Sequence, residues 1–150
     1  MHARFRAEVS AGITDYRAIH GFGIQPGHRE HARDVQWLKK EFESARATGD
    51  VCIVLTHHPP LMQNTSHPIY EVPNNPLRHA FANDLSRLLH DFADVIDIWI
   101  HGHTHYTHTH MFRSASKKND ESVIIASNQR GYDDEEGRGF SLDAQPICVL

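Results

Sequence analysis

The sequence contains little cysteine and no long apolar run. Only two of its 150 residues are cysteines, Cys52 within an apolar segment and Cys148 near the last residue. Because these cysteines are far apart in the sequence, a structural disulfide is disfavoured, and because no Cys-x-x-Cys pair is present, a thiolate metal site is disfavoured as well. No stretch approaches the roughly 18 apolar residues of a membrane span, and no apolar segment typical of a secretory signal follows Met1. These absences favour a cytoplasmic protein.

An excess of basic charge is also absent. The chain has 15 lysines and arginines against 19 acidic residues, and its formal net charge of -4 argues against nucleic acid as a partner. With 39% hydrophobic and 23% charged residues, it has the composition of one soluble domain. Histidine is the exception to this ordinary composition, because 14 residues are histidines.

Alternating helical and extended patterns predict an α/β fold. Apolar residues three or four positions apart predict a helix over residues 28–46. Residues 51–56 are a short β-branched run, typical of a strand buried on both faces. A second amphipathic helix is predicted over residues 75–92 and a second strand over residues 95–100. This order of helix, strand, helix and strand predicts a sheet between helices.

The remaining segments have weaker patterns. Residues 1–27 contain recurrent glycine and proline and are predicted to be mostly loop, and residues 61–75 are predicted to be a long polar loop. Residues 106–112 and 122–127 predict a β-hairpin. We therefore expect a single domain over residues 1–150 with its core at about residues 28–135.

Histidines follow both predicted strands. The first strand runs into Thr56-His57-His58-Pro59-Pro60 and the second into Gly102-His103-Thr104-His105. Imidazole is the commonest nitrogen ligand for zinc and similar metals. On an extended backbone, residues two apart point the same way, so His103 and His105 are expected to face one site. His101 is expected to be packed or to support a ligand residue. The alternative is a polar loop in a histidine-rich protein.

These two motifs, followed by Asn128-Gln129-Arg130-Gly131-Tyr132, resemble the later part of the calcineurin-like metallophosphoesterases. That family has a four-layer α/β/β/α fold around a two-metal site, and its last two motifs are Gly-His-x-Pro (or a variant) and Gly-His-x-His. The third segment is similar to the Asn-Pro-Arg-Gly-Tyr turn of one branch, with Gln129 in place of the proline. The resemblance implies the C-terminal half of this sandwich, ending in a β-hairpin.

The resemblance also implies a function and a set of site residues. It implies a metal-dependent phosphoester hydrolase, in which two divalent ions (manganese, iron or zinc) deliver hydroxide to phosphorus. His57 and His103 would be ligands of one metal and His105 a ligand of the other. His58 would contact the substrate phosphate as a catalytic residue, or would only pack beside Pro59.

Two further residues are candidates for the rim of the site. Asn128 and Arg130 are candidate substrate-binding residues, because a guanidinium suits a phosphate group. The alternative for Arg130 is that it fixes the local turn.

The sequence departs from the family pattern in its acidic ligands. It contains no Asp-x-His and no Gly-Asn-His, and its single Gly-Asp pair, Gly49-Asp50, is followed by Ile53 where the family has a second Asp. We therefore expect a partial domain (a truncated gene model, a split protein or a pseudoenzyme) with weak metal binding and little hydrolysis on its own. Half a sandwich also predicts an exposed apolar sheet face that packs on a missing N-terminal half or on a second copy.

Two rival interpretations remain open from the sequence. The metallo-β-lactamase fold has a His-x-His-x-Asp-His signature, which residues 103–108 match except at Thr107, where an aspartate is required. The other rival is a catalytically dead half-domain that acts as a binding module, which the missing carboxylates favour.

Overall fold

A computed structural model describes residues 6–13, 15–114, 122–133 and 139–143 of the chain. Its helices are α1 (Arg6–Gly12), α2 (Asp15–Ala18), α3 (Ile24–Thr48), α4 (Pro68–Glu71), α5 (Arg78–Phe81) and α6 (Ser86–Phe92). Its strands are β1 (Cys52–Thr56), β2 (Ile96–His101), β3 (His108–Arg113) and β4 (Ser122–Ser127). Cys148 lies outside the described residues.

The four strands form one sheet in the order β1-β2-β4-β3. Strand β2 is parallel to both β1 and β4, whereas β3 and β4 pair in antiparallel fashion from His108 and Ser127 to Arg113 and Ser122. The predicted α/β class and the predicted hairpin are therefore confirmed. Because β1 and β2 are parallel, their carboxyl ends lie at one edge of the sheet, and the residues after both strands meet there.

Helix α3 covers one face of the sheet. Leu38, Phe42 and Ala45 are its buried residues, at helical spacing. Phe42 packs between Phe92 of α6 and Trp99 of β2, with ring centroids 5.3 and 6.5 Å apart. Trp99 is fully buried, so these three aromatic rings form the centre of the core.

The first part of the chain is more helical than predicted. Residues 1–27 were expected to be mostly loop, but α1 and α2 lie within them and α3 begins at Ile24, one turn before the predicted start. Pro26 lies in the first turn of α3, where a backbone N–H has no partner within the helix, so a proline is tolerated there. At the other end Gly49 adopts φ 77° and donates its N–H to the carbonyl of Ala45, which ends the helix.

The helix predicted over residues 75–92 is instead two short helices, α5 and α6. Between them, the N–H groups of Asn83 and Leu85 donate to the carbonyls of Pro59 and Pro60, at 3.1 and 2.8 Å. These bonds to a distant segment replace the hydrogen bonds of a continuous helix, and so they divide the predicted helix in two. The long loop before α5 also contains one helical turn, α4.

The opposite sheet face is open. Ile53 and Leu55 of β1 are 61% and 73% exposed, and Met111 of β3 is 51% exposed. The strand register places all three on the face away from Val54 and Trp99. The prediction that β1 is buried on both faces is therefore wrong; we call these three residues the open apolar face. In the described ranges, no helix is long and apolar enough to cross a membrane.

Candidate metal centre

Three histidines converge where β1 and β2 end. One ring nitrogen from each of His57, His58 and His103 lies within 4.8 Å of the others, and the ring centroids are 4.2 to 5.0 Å apart. We call this group the histidine cluster. It brings together three of the four histidines that the sequence singled out, and it could hold a metal ion.

A tight turn after β1 allows adjacent histidines to face one site. The hydroxyl of Thr56 donates to the carbonyl of His58 at 2.7 Å, and the indole N–H of Trp99 donates to that hydroxyl at 2.8 Å. The backbone therefore leaves the extended conformation at His57, and the two rings no longer point to opposite sides. The N–H of Gly102 donates to the carbonyl of His57 at 3.0 Å, which ties the two strand ends together.

The hydrogen bonds of His103 fix its tautomer. Its Nε2 lies 3.1 Å from the carbonyl of Ala80, which only accepts, so Nε2 carries the proton and Nδ1 keeps its lone pair. This Nδ1 lies 3.0 Å from Nε2 of His57. Two nitrogens on a tetrahedral zinc ion lie about 3.3 Å apart, given zinc–nitrogen bonds of about 2.0 Å. The spacing of this pair is thus close to that of two zinc ligands, and the third nitrogen, from His58, lies within 4.8 Å of both.

The electrostatics of His58 favour the neutral form that a metal requires. The pKa of His58 is lowered to about 3, chiefly because the ring is partly withdrawn from solvent and secondarily because His103 and His57 lie nearby. The residue as a whole is still exposed. A ligand that is already neutral releases no proton when a metal binds at neutral pH.

The backbone of the Gly-His-Thr-His segment differs from the prediction. His103 and His105 have φ values of 70° and 48°, in the left-handed region rather than the extended one. Their side chains therefore do not project in parallel. His105 is not in the histidine cluster; its ring packs edge-on against Tyr132, with centroids 4.6 Å apart.

Gln129 holds this left-handed segment, a role that the sequence interpretation missed. The Gln129 side chain is buried, and its Oε1 accepts the backbone N–H of His105 at 2.8 Å. Its Nε2 donates to the hydroxyls of Ser127 and Thr104, at 2.7 and 3.1 Å. We call these contacts the Gln129 clamp. The signal available in the sequence was the replacement of the family's proline by a residue with a long amide side chain.

The clamp continues into the loop before α4. The hydroxyl of Thr104 donates to the carbonyl of Thr65 at 2.8 Å. The carboxylate of Glu71 in turn accepts the backbone N–H groups of Asn64, Thr65 and Ser66 at 2.9 to 3.0 Å. The long loop is thus tied to the histidine segment through buried polar groups.

The two predicted rim residues do not join the histidine cluster. Asn128 exchanges two hydrogen bonds with the backbone of Ser141, at 2.9 and 3.1 Å. Arg130 pairs with Asp133 at 2.8 Å on an exposed surface. Both contacts connect parts of the chain near the end of β4.

A second group of histidines lies on the helix-covered side of the sheet. His101 is buried and its Nε2 lies 2.8 Å from Nε2 of His108, whose Nδ1 lies 3.3 Å from Nδ1 of His110. The packed role predicted for His101 is confirmed. His108 and His110 are half-buried because their alternate positions on β3 face the core side.

A cavity of about 850 Å³ opens beside the histidine cluster. All three clustered histidines line it, together with apolar residues of α3 such as Trp37 and Leu38, and with Arg78 of α5. Its volume lies in the range of small-molecule sites.

Comparison with known proteins gives two matches. A family model described as calcineurin-like phosphoesterase matches residues 7–107, which begins earlier than the resemblance expected from the sequence. An uncharacterized protein of Acanthamoeba polyphaga mimivirus is 38% identical over 89 residues, covering 55% of this chain. The chain spans only 27% of the length of that relative.

The family match also decides against the metallo-β-lactamase interpretation. It includes both histidine motifs, the second of which lies at the end of the matched range, and it is a match to a different family from the metallo-β-lactamases. Most of the chain matches the model, so the chain belongs to the calcineurin-like phosphoesterase family, whose members are metal-dependent phosphoester hydrolases.

Proposed function

We propose that the histidine cluster binds one divalent metal ion of a phosphoester hydrolase site. The observation that carries this proposal is the convergence of His57, His58 and His103 at the ends of two parallel strands. His103 would bind through Nδ1, because its Nε2 proton is engaged by Ala80. His58, first considered as a phosphate contact, is proposed as the third ligand.

The chemistry of such a site follows from the ion and from its neutral ligands. A bound divalent ion lowers the pKa of a water molecule and neutralises charge that develops on a phosphoryl group. Three imidazoles carry no charge, so they leave the full charge of the ion to attract a phosphoester. The second ion of a complete two-metal site is proposed to take His105, with Asn128 and Arg130 near the rim.

Carboxylates are missing from the cluster among the described residues. A catalytic zinc usually has three protein ligands and an open position, which the cluster can provide, but a metal pair needs bridging oxygens as well. We therefore expect the purified chain to bind metal and to hydrolyse little until a second segment supplies those groups.

The test of metal binding is a calorimetric zinc titration of the full chain at pH 7.5. His57→Ala and His103→Ala should each weaken binding at least tenfold, because each removes a ligand. His20→Ala, at an exposed turn outside the cluster, is the matched control and should keep the affinity of the unmodified chain. Absence of zinc binding, or equal binding by all variants, would contradict the proposal.

A catalytically inactive binding module is the second candidate. The observations that favour it are the open apolar face and the cluster's lack of carboxylates. Hydrolysis of a generic phosphodiester with added manganese separates the two candidates. Turnover that disappears in His103→Ala supports the hydrolase. Absence of turnover with manganese or zinc, even after a partner segment is added, supports the binding module.

A further inference from the structure

Arg78 has an unsatisfied donor beside the histidine cluster. Its Nε is buried, and no side chain or backbone group of the described residues accepts a hydrogen bond from it. Other arginines of the chain hold a carboxylate: Arg46 pairs with Asp94, Arg33 with Glu30, and Arg130 with Asp133. A guanidinium with a buried donor and no acceptor is suited to bind an anion from outside the described residues.

The position of Arg78 joins this donor to the cluster. Arg78 begins α5, and two residues later in the same turn the carbonyl of Ala80 accepts the Nε2 proton of His103. Both Arg78 and His103 line the 850 Å³ cavity. A ligand that reaches the histidine cluster through this cavity therefore enters a space that Arg78 also lines.

Three acidic residues line the cavity, Glu30, Asp34 and Asp84, and two of them have other partners. Glu30 accepts two hydrogen bonds from Arg33, at 2.9 and 3.1 Å. Asp84 accepts from the backbone and the hydroxyl of Ser86, at 3.3 and 2.7 Å, at the start of α6. Neither carboxylate is arranged to neutralise Arg78, and within the described residues no ion pair joins Arg78 to Asp34. The cation therefore remains available to an incoming anion.

We propose that Arg78 binds a phosphoryl oxygen of the phosphoester, a role that rests on the proposed function of the histidine cluster. A guanidinium offers a planar set of donors that matches two oxygens of one phosphoryl group. The third oxygen of the group would remain for the metal that the histidine cluster would hold. The apolar part of the cavity, at Trp37 and Leu38 of α3, accommodates the organic part of the ester.

The experiment is a titration of the full chain with inorganic phosphate, followed by phosphorus NMR, with and without zinc. Arg78→Met removes the charge and keeps most of the side-chain volume, and it should weaken phosphate binding at least tenfold. Arg78→Lys keeps the charge without the fork and should give an intermediate loss. Arg87→Met is the matched control, because Arg87 is 95% exposed on α6, and it should bind phosphate as the unmodified chain does.

The stability of the same variants provides a second measurement. Because Arg78→Met removes an unsatisfied buried donor, its thermal midpoint without phosphate should equal or exceed that of the unmodified chain. A merely structural Arg78 would instead lower the midpoint when it is replaced. Phosphate affinity that is unchanged in Arg78→Met, or phosphate binding that is absent from the unmodified chain, overturns the inference.

Zinc titrations of these variants separate the inference from the function on which it rests. Arg78→Met should bind zinc as tightly as the unmodified chain, since it removes no proposed ligand. Failure of the unmodified chain to bind zinc overturns the metal site, whereas normal zinc binding with Arg78-independent phosphate binding overturns only the role of Arg78.

Discussion

Replacing Gln129 by leucine tests whether the Gln129 clamp supports the histidine segment. The substitution removes the acceptor for the His105 N–H and the donor for the hydroxyls of Ser127 and Thr104. Those hydroxyls keep their own donor bonds, to the carbonyls of Tyr106 and Thr65. The main loss is therefore the unsatisfied N–H of His105.

The expected change in stability follows from these bonds. An unsatisfied N–H and two lost side-chain hydrogen bonds together destabilise by roughly 3–4 kcal/mol. Burial of a leucine side chain instead of an amide offsets about 1 kcal/mol of this. The free energy of unfolding should fall by about 2–3 kcal/mol, a large share of the stability of a small domain.

Zinc affinity should fall as well. His103 and His105 hold left-handed backbone conformations, which are unfavourable for residues other than glycine by about 1 kcal/mol or more each. Without the clamp, the segment relaxes towards extended backbone and His103 leaves the cluster. Groups that orient metal ligands typically change affinity by about tenfold or more when removed, and we expect a loss of about tenfold here.

Urea unfolding and zinc calorimetry measure the two effects. Gln36→Leu is the matched control, because it makes the same chemical change at an exposed position of α3 and should alter neither quantity appreciably. A destabilisation below about 1 kcal/mol in Gln129→Leu, together with unchanged zinc affinity, would refute the reasoning.

Three further predictions concern the rest of the fold. Burial and the neighbouring His101 lower the pKa of His108 to about 3 from 6.5, so the unfolded chain binds more protons between these values. Stability should then fall as pH drops below about 6.5, by on the order of 3 kcal/mol near pH 4, and urea unfolding of His108→Gln should show a flatter pH profile. Leu55→Lys should reduce self-association in sedimentation velocity without loss of the helical circular dichroism signal, since Leu55 is 73% exposed; unchanged association would remove the open apolar face as its cause. Gly49→Ala should lower the thermal stability by about 1 kcal/mol, because Gly49 has φ 77°, and an unchanged midpoint would contradict this strain.

The meeting of His57 and His103 could be predicted from the sequence because it depends on topology. Two apolar strands joined by a helical segment are expected to be parallel, and parallel strands end at the same edge. The sequence also predicted that His101 packs, and alternation along β2 places it on the covered side of the sheet with the buried Trp99. These inferences need only the periodicity of each strand and the order of the elements.

The finer geometry of the site depends on contacts between distant residues. Nothing local indicates that His58 joins His57, because that convergence requires the Thr56 hydroxyl and the buried indole of Trp99 that holds it. The left-handed conformation of His103 and His105 likewise depends on Gln129, more than 20 residues later. The same reason explains the interrupted helix before β2, where carbonyls of Pro59 and Pro60 capture its backbone donors.

Strand β1 joins the open apolar face to the histidine cluster. Among the described residues, the face has no covering element and the cluster has no carboxylate. Its alternate residues Ile53 and Leu55 form the open apolar face, and its last residues lead directly into His57 and His58. An apolar run shows that both faces avoid water, but it does not show which part of a molecule covers each of them. A second sheet packed on Ile53 and Leu55 would lie beside the strand end that carries the cluster, where its own loops could present carboxylates. We therefore expect that one partner surface both buries the open apolar face and completes the metal site. Leu55→Lys should then impair metal-dependent hydrolysis by the assembled protein. The same variant should leave zinc binding by the isolated chain intact.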